Sequence, residues 1–226
     1  MEFMIDTANI VEITKMMESL PLCGVTSNPS ILKKEGDVAF FDHLRQIRAF
    51  IGKERSLHVQ VVAMDAEGMI KDAHRILAEI DDQVYVKIPV NMEGLKAMKA
   101  LKAEGVNITA TAIYTEIQGY YAIEAGADYI APYFNRMENM NIDPCQVISG
   151  FAQMIAAGNY PTKILGASFK NIGQVNKALM CGAQAVTVGT DVLAASLGMP
   201  AIQKAVDDFN DDWVAIHGVD KEIHKL

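Results

Sequence analysis

Lys87 is the residue most out of keeping with its neighbours. It interrupts Val84-Tyr85-Val86-Lys87-Ile88-Pro89-Val90, a run apolar enough for a β-strand covered on both faces. Burial there disfavours the ammonium and lowers the pKa, and a neutral amine at working pH is a nucleophile for a carbonyl carbon. The plainer reading is a lysine at a strand end that reaches solvent or pairs with a carboxylate such as Asp6. The strand alone does not choose between them.

Imine chemistry asks more of its surroundings than the amine. Water must leave and later return, so the site needs groups that hold one water and move protons. Gln60, Thr111 and Tyr133 are neutral hydrogen-bonding residues near the ends of three other apolar runs, and all are candidates for that work. Asp6 is the carboxylate among these groups and suits proton exchange with a substrate hydroxyl. Its bland alternative is helix capping, since Asp6 or Thr7 stands just before a helical pattern. The second run leads into Thr26-Ser27-Asn28, further hydrogen-bonding groups at a strand end. For a phosphate, Arg136 offers a fork of donors, and Ser168-Phe169-Lys170-Asn171 lies at a strand-to-helix turn with backbone N–H groups available. Arg136 and Lys170 taken singly also fit solvated surface charges.

Metal chemistry finds little support. His43 and His74 fall on helical patterns, His217 and His224 lie near the C-terminus, and there is no H-x-x-H or H-E-x-x-H pair. His58 shares a face with Gln60 and reads as packing. No metal is expected.

These residues need a frame that brings many strand ends to one place. Short apolar or β-branched runs at 3–6, 24–26, 57–62, 84–89, 107–111, 129–133, 163–167 and 185–188 alternate with helical patterns, the mark of parallel βαβ units. The stretch 66–80 is one such helix, with Met69, Ile70, Ala73, Ile76, Leu77 and Ile80 at helical spacing. Gly105, Gly126 and Gly182 each stand between a helical pattern and a strand, where a helix end favours positive φ. Eight units suggest closure into a single α/β domain over 1–226, a (β/α)8 TIM barrel. A doubly wound sheet is the other candidate, but no G-x-G-x-x-G turn follows the first strand. In a barrel the active site lies at the carboxyl ends of the strands, where the polar residues above fall. An extra C-terminal amphipathic helix over 200–217 either caps this barrel or docks on a neighbouring subunit.

With 226 residues and 50% hydrophobic composition the chain can bury a large core. A net charge of −8, spread along the sequence, argues against nucleic acid or an anionic membrane as partner. The N-terminus lacks a basic region followed by an apolar stretch, and no apolar run is long enough to span a bilayer, so a cytoplasmic location is expected. Cys23, Cys145 and Cys181 are odd in number and form no C-x-x-C pair, which reads as three free thiols.

From Met4 to about Trp213 the chain resembles the transaldolase family, and within it the small fructose 6-phosphate aldolase subgroup. The carriers are Ile5-Asp6-Thr7, Gly24-Val25-Thr26-Ser27-Asn28-Pro29-Ser30, Ala66-Glu67-Gly68-Met69, Val86-Lys87-Ile88-Pro89-Val90, Ala131-Pro132-Tyr133-Phe134-Asn135-Arg136 and Ala167-Ser168-Phe169-Lys170. The resemblance implies a class I (Schiff-base) aldolase without cofactor, acting on sugar phosphates and small hydroxyketones, with Lys87 forming the imine. It makes Asp6 the proton-transfer carboxylate, gives Thr26 and Asn28 to substrate hydroxyls, and assigns the phosphate to Arg136 and Ser168. Lys170 stands where transaldolases often carry a phosphate-binding arginine. Transaldolases usually have Glu at the position of Gln60 and Phe at that of Tyr133, so the aldolase subgroup is the nearer likeness and transaldolase the alternative. The family also implies a homo-oligomer, often a decamer of two pentamers, with the extra helix reaching a neighbour. A non-catalytic sugar-phosphate binding barrel is a third reading.

Overall fold

A computed structural model describes residues 1–226. The eight runs form strands β1 Glu2–Asp6, β2 Gly24–Thr26, β3 Ser56–Gln60, β4 Tyr85–Pro89, β5 Ile108–Ile113, β6 Tyr129–Pro132, β7 Lys163–Gly166 and β8 Ala185–Val188. They pair in parallel in sequence order, and β1 closes on β8. The helices are α1 Ile10–Ser19, α2 Pro29–Leu32, α3 Phe40–Ile51, α4 Ala66–Glu79, α5 Met92–Ala103, α6 Glu116–Glu124, α7 Phe134–Asn139, α8 Pro144–Gly158, α9 Ile172–Met180, α10 Thr190–Leu197 and α11 Pro200–His217. The fold is the expected (β/α)8 barrel with an added C-terminal helix.

Side chains alternate along each strand between the helices and the barrel axis. On β4, Val86 and Ile88 are fully buried in the main apolar core, while Lys87 between them lines a central cavity. Asp65, Asn91 and Asn171 cap α4, α5 and α9 with side-chain bonds to backbone N–H groups, which fixes where each helix leaves the mouth of the barrel. Gly105, Gly126 and Gly182 have φ of 80°, 86° and 112°, as the repeated helix-to-strand joint requires. Gly94 matters for a different reason: a Cβ there would fall 1.9 Å from the Pro89 carbonyl oxygen, so only glycine lets α5 start this close to the end of the lysine-bearing strand.

Four local expectations need correction. The third strand ends at Gln60 instead of Val62, because the backbone N–H groups of Val62 and Ala63 turn to the Asp72 carboxylate. The fifth runs on to Ile113 through a bulge: its register against β6 shifts between Ala110 and Ile113, and Ala112 takes φ of 60°. The first helix is capped by Asn9, which accepts from the Glu12 N–H, so neither Asp6 nor Thr7 is the cap. Finally, Cys145 and Cys181 are joined as a disulfide and only Cys23 is free. Sequence spacing of 36 residues hides the pairing; the first turn of α8 meets the end of α9, where the Ser149 hydroxyl also donates to the Cys181 carbonyl. No helix is long and apolar enough to cross a membrane.

Candidate active site

A cavity of about 620 Å³ opens at the carboxyl ends of the strands. Lys87 stands in it at 6% exposure. Its Nζ donates to the Ser27 carbonyl oxygen at 2.8 Å, and no carboxylate forms an ion pair with it. Desolvation pulls its pKa below 10.5, while the negative charge of Asp6 pulls in the other direction and is outweighed. The reading of Lys87 as a solvent-reaching or carboxylate-paired lysine therefore fails on geometry.

Asp6 lines the cavity from the end of β1. Its Oδ1 accepts a 2.6 Å bond from the Thr26 hydroxyl, and Thr26 in turn lies 2.6 Å from the Thr187 hydroxyl. Thr26 is wholly buried beneath Asp6 and does not reach the cavity wall, so its visible partner is the carboxylate. Asn28 does reach the wall, with its side chain also capping α2 through the Ile31 N–H.

Thr111 and Tyr133 form a pair, with their oxygens 2.8 Å apart. The bulge in β5 follows Thr111 immediately, and a non-glycine residue held at positive φ beside it is a local strain of the kind found at working sites. Burial raises the Tyr133 pKa, and the Thr111 hydrogen bond and the Arg136 charge act against that rise. Gln60 lies directly across from Lys87 in the β3–β4 register. Its Oε1 is buried without a hydrogen-bond partner, an expensive arrangement for a carbonyl in a protein interior.

Arg136, Lys170 and Lys34 line the cavity together with Glu12, Glu35 and Asp191, so its positive charge is local. The Arg136 guanidinium lies 4.7 Å from the Tyr133 ring centroid and donates to the Tyr114 hydroxyl at 3.3 Å. Ser168 and Lys170 line the same side of the cavity. Ser168 has φ of 63°, and the Lys170 N–H is tied to the Gln174 side chain at 2.7 Å. All the expected site residues except Thr26 and Gln60 reach the cavity itself. Residues that sequence reasoning does not single out also line it, notably Thr109 and Thr187. The alternation in Thr109-Ala110-Thr111 is the available signal for the first, because residues two apart share a strand face.

Against this geometry, the family model described as Transaldolase/Fructose-6-phosphate aldolase matches residues 3–224. The chain belongs to that family. Over 216 residues it is 58% identical to a protein of Streptococcus pneumoniae described as a probable fructose-6-phosphate aldolase, covering 96% of this chain and 97% of that one.

Proposed function

We propose that the chain is a class I aldolase that cleaves fructose 6-phosphate reversibly into dihydroxyacetone and glyceraldehyde 3-phosphate. The observation that carries the reading is Lys87: buried, with its pKa lowered, unpaired by any carboxylate, and facing a cavity large enough for a sugar phosphate. The 58% identity to the pneumococcal aldolase supports the substrate.

In this reaction Lys87 Nζ adds to C2 of the open-chain ketose, and loss of water gives an iminium. Asp6 takes the proton of the C4 hydroxyl, the C3–C4 bond breaks, and its electron pair flows into the iminium to leave an enamine. Glyceraldehyde 3-phosphate departs. Protonation at C3 and addition of water at C2 then free dihydroxyacetone and the amine. The Tyr133 phenol, bonded to Thr111, passes protons to and from that water. The unpartnered Gln60 Oε1, across from Lys87 but behind the cavity wall, supports a role as acceptor for a water that enters there. Asn28 meets substrate hydroxyls and Thr26 orients Asp6. Arg136, Ser168 and Lys170 take the phosphate, which a fork of guanidinium donors and a nearby cation suit.

Borohydride added with fructose 6-phosphate is expected to fix mass on the peptide bearing Lys87; a label on another lysine overturns the assignment. Release of dihydroxyacetone, measured against transfer of the three-carbon unit to erythrose 4-phosphate, separates aldolase from transaldolase. Self-association belongs to the same proposal. No residue of α11 is buried, and Ile202, Val206, Phe209 and Ile216 are exposed along it, a surface suited to a second copy of this chain in a decamer or smaller ring. Truncation after Gly198 should lower the particle mass in light scattering, and an unchanged mass removes the role of α11. Sugar phosphates are retained by their charge where they are made, which supports a cytoplasmic enzyme.

A further inference from the structure

Beneath Lys87 the barrel holds a histidine that this chemistry leaves without a task. His58 is fully buried, with Nδ1 2.8 Å from the Thr109 hydroxyl and Nε2 3.0 Å from the Ser56 hydroxyl. Its ring stacks on Tyr85 with centroids 4.7 Å apart and meets Tyr129 edge-on at 5.4 Å. Burial first, then the positive charges of Lys87 and Arg48, hold its pKa well below 6.5. The ring is therefore neutral around pH 7, with one N–H and one lone pair in its plane.

Thr109 is the point where this buried arrangement touches the cavity. It is the register partner of Lys87 on β5 and borders the cavity wall, but its side chain is fully buried, so a ligand reaches it only as the wall gives slightly at that point. A sugar phosphate held by Arg136, Ser168 and Lys170 at the mouth and joined at C2 to Lys87 must extend its C1 end past Lys87 toward the floor. There the wall consists of Thr109, Ala131, Leu165 and Thr187. Ala131 and Leu165 offer no polar group. The Thr187 hydroxyl gives its proton to Thr26, whose own proton goes to Asp6, so toward a ligand it can only accept. Thr109, by contrast, can also donate when His58 carries its hydrogen on Nδ1.

We propose that Thr109, oriented by His58, is the contact for the C1 hydroxyl and so sets the preference for a donor that carries one. This assignment rests on the aldolase reading. Either imidazole tautomer serves. With the hydrogen on Nδ1, Thr109 accepts from His58 and donates its own proton to the C1 oxygen. With the hydrogen on Nε2, Thr109 donates to Nδ1 and its lone pairs accept from the C1 hydroxyl. A hydroxyl meets both demands, whereas a C1 methyl leaves the threonine oxygen without a partner beside an apolar group. His58 is a positioning residue here, since it touches Thr109 and no reacting atom.

The test measures kcat/KM for addition of dihydroxyacetone and of hydroxyacetone to glyceraldehyde 3-phosphate. Thr109→Val, which keeps the shape and removes the hydroxyl, is expected to lower the dihydroxyacetone value about tenfold relative to that for hydroxyacetone, the size of one net hydrogen bond. Thr109→Ser should retain the ratio. His58→Phe should shift it in the same direction as Thr109→Val by a smaller factor. The double variant His58→Phe/Thr109→Val removes both buried polar partners together and should match Thr109→Val in ratio, which keeps the question answerable if the single valine variant folds poorly. A ratio unmoved by Thr109→Val or by the double variant, with borohydride still trapping both donors on Lys87, overturns this inference alone. If neither donor is trapped on Lys87 in the unaltered protein, the aldolase reading falls and takes the inference with it.

Discussion

The two ends of the barrel carry the same residue types in opposite electrical settings. At the foot, Lys163 lies 2.5 Å from the Glu2 carboxylate, which also accepts 2.7 Å from the Tyr129 hydroxyl. At the mouth, Lys87 faces a cavity with no carboxylate in contact, and Tyr133 is bonded to a neutral threonine. Hydrogen bonding to Glu2 raises the Lys163 pKa, whereas burial lowers that of Lys87. The tyrosines differ too. Both rise through burial, but Glu2 raises Tyr129 further, while Thr111 and Arg136 restrain Tyr133. Side-chain type says little about reactivity here; the partner decides whether a lysine is a strut or a nucleophile and whether a phenol is locked or able to exchange its proton.

The largest expected difference between the ends is in rate. Lys87→Met should abolish cleavage of fructose 6-phosphate by on the order of 10⁵-fold or more, the scale on which loss of a covalent nucleophile is felt. Lys163→Met should leave the rate unchanged. A Lys87→Met protein that retains measurable imine-dependent turnover removes the distinction. Next in size is Tyr133→Phe, expected to lower kcat by about 10²–10⁴-fold as a lost acid–base group does, with KM little changed. Its counterpart Tyr129→Phe should affect stability only, through the hydrogen bond to Glu2.

Stability should divide the ends with pH as well. Because the folded pKa of Lys87 is lowered, the unfolded chain binds the extra proton in the window below 10.5. Its burial penalty is full below the folded pKa and vanishes above 10.5, so stability rises with pH across that window. Lys87→Met should thus have a higher urea midpoint than the unaltered protein at pH 7, and the gap should close as pH reaches about 10.5. His58 follows the same sign at lower pH: depressed well below 6.5, it makes the fold lose stability as pH falls under 6.5, and His58→Phe should flatten that slope.

Much of this contrast is legible in the amino-acid sequence. An alternating beat of eight apolar runs points to the closed barrel, and one lysine inside an apolar run marks the cavity, because both signals are local and periodic. Thr111, Tyr133, Arg136 and Ser168 are marked by their place at strand ends. The rest depends on contacts between distant parts of the chain. Thr26 is beneath Asp6 because β1 and β2 pair in a register that sequence does not display. Thr109 carries no such mark because its partner, His58, comes from two strands away across the barrel interior. The Cys145–Cys181 bond requires the offset between α8 and α9, and the bulge at Ala112 has no glycine to announce it.

The smallest effect tests the foot directly. Burial alone would raise the Glu2 pKa, but the hydrogen bonds from Lys163 and Tyr129 prevail and lower it. The contribution of Glu2 is therefore present above 4.5 and lost as pH falls through its folded value. That of Lys163, whose pKa is raised, is present below 10.5 and lost as pH climbs through its folded value. Between these limits the pair stabilises at a constant level, and with Lys163 46% exposed that level is small, less than about 1 kcal/mol. Lys163→Met should accordingly shift the urea midpoint slightly and by the same amount at pH 6 and pH 9, and the shift should shrink in high salt. A strong pH dependence between those values would mean that the foot lysine, like the one at the mouth, is held against its preferred charge, and the contrast between the two ends would be lost.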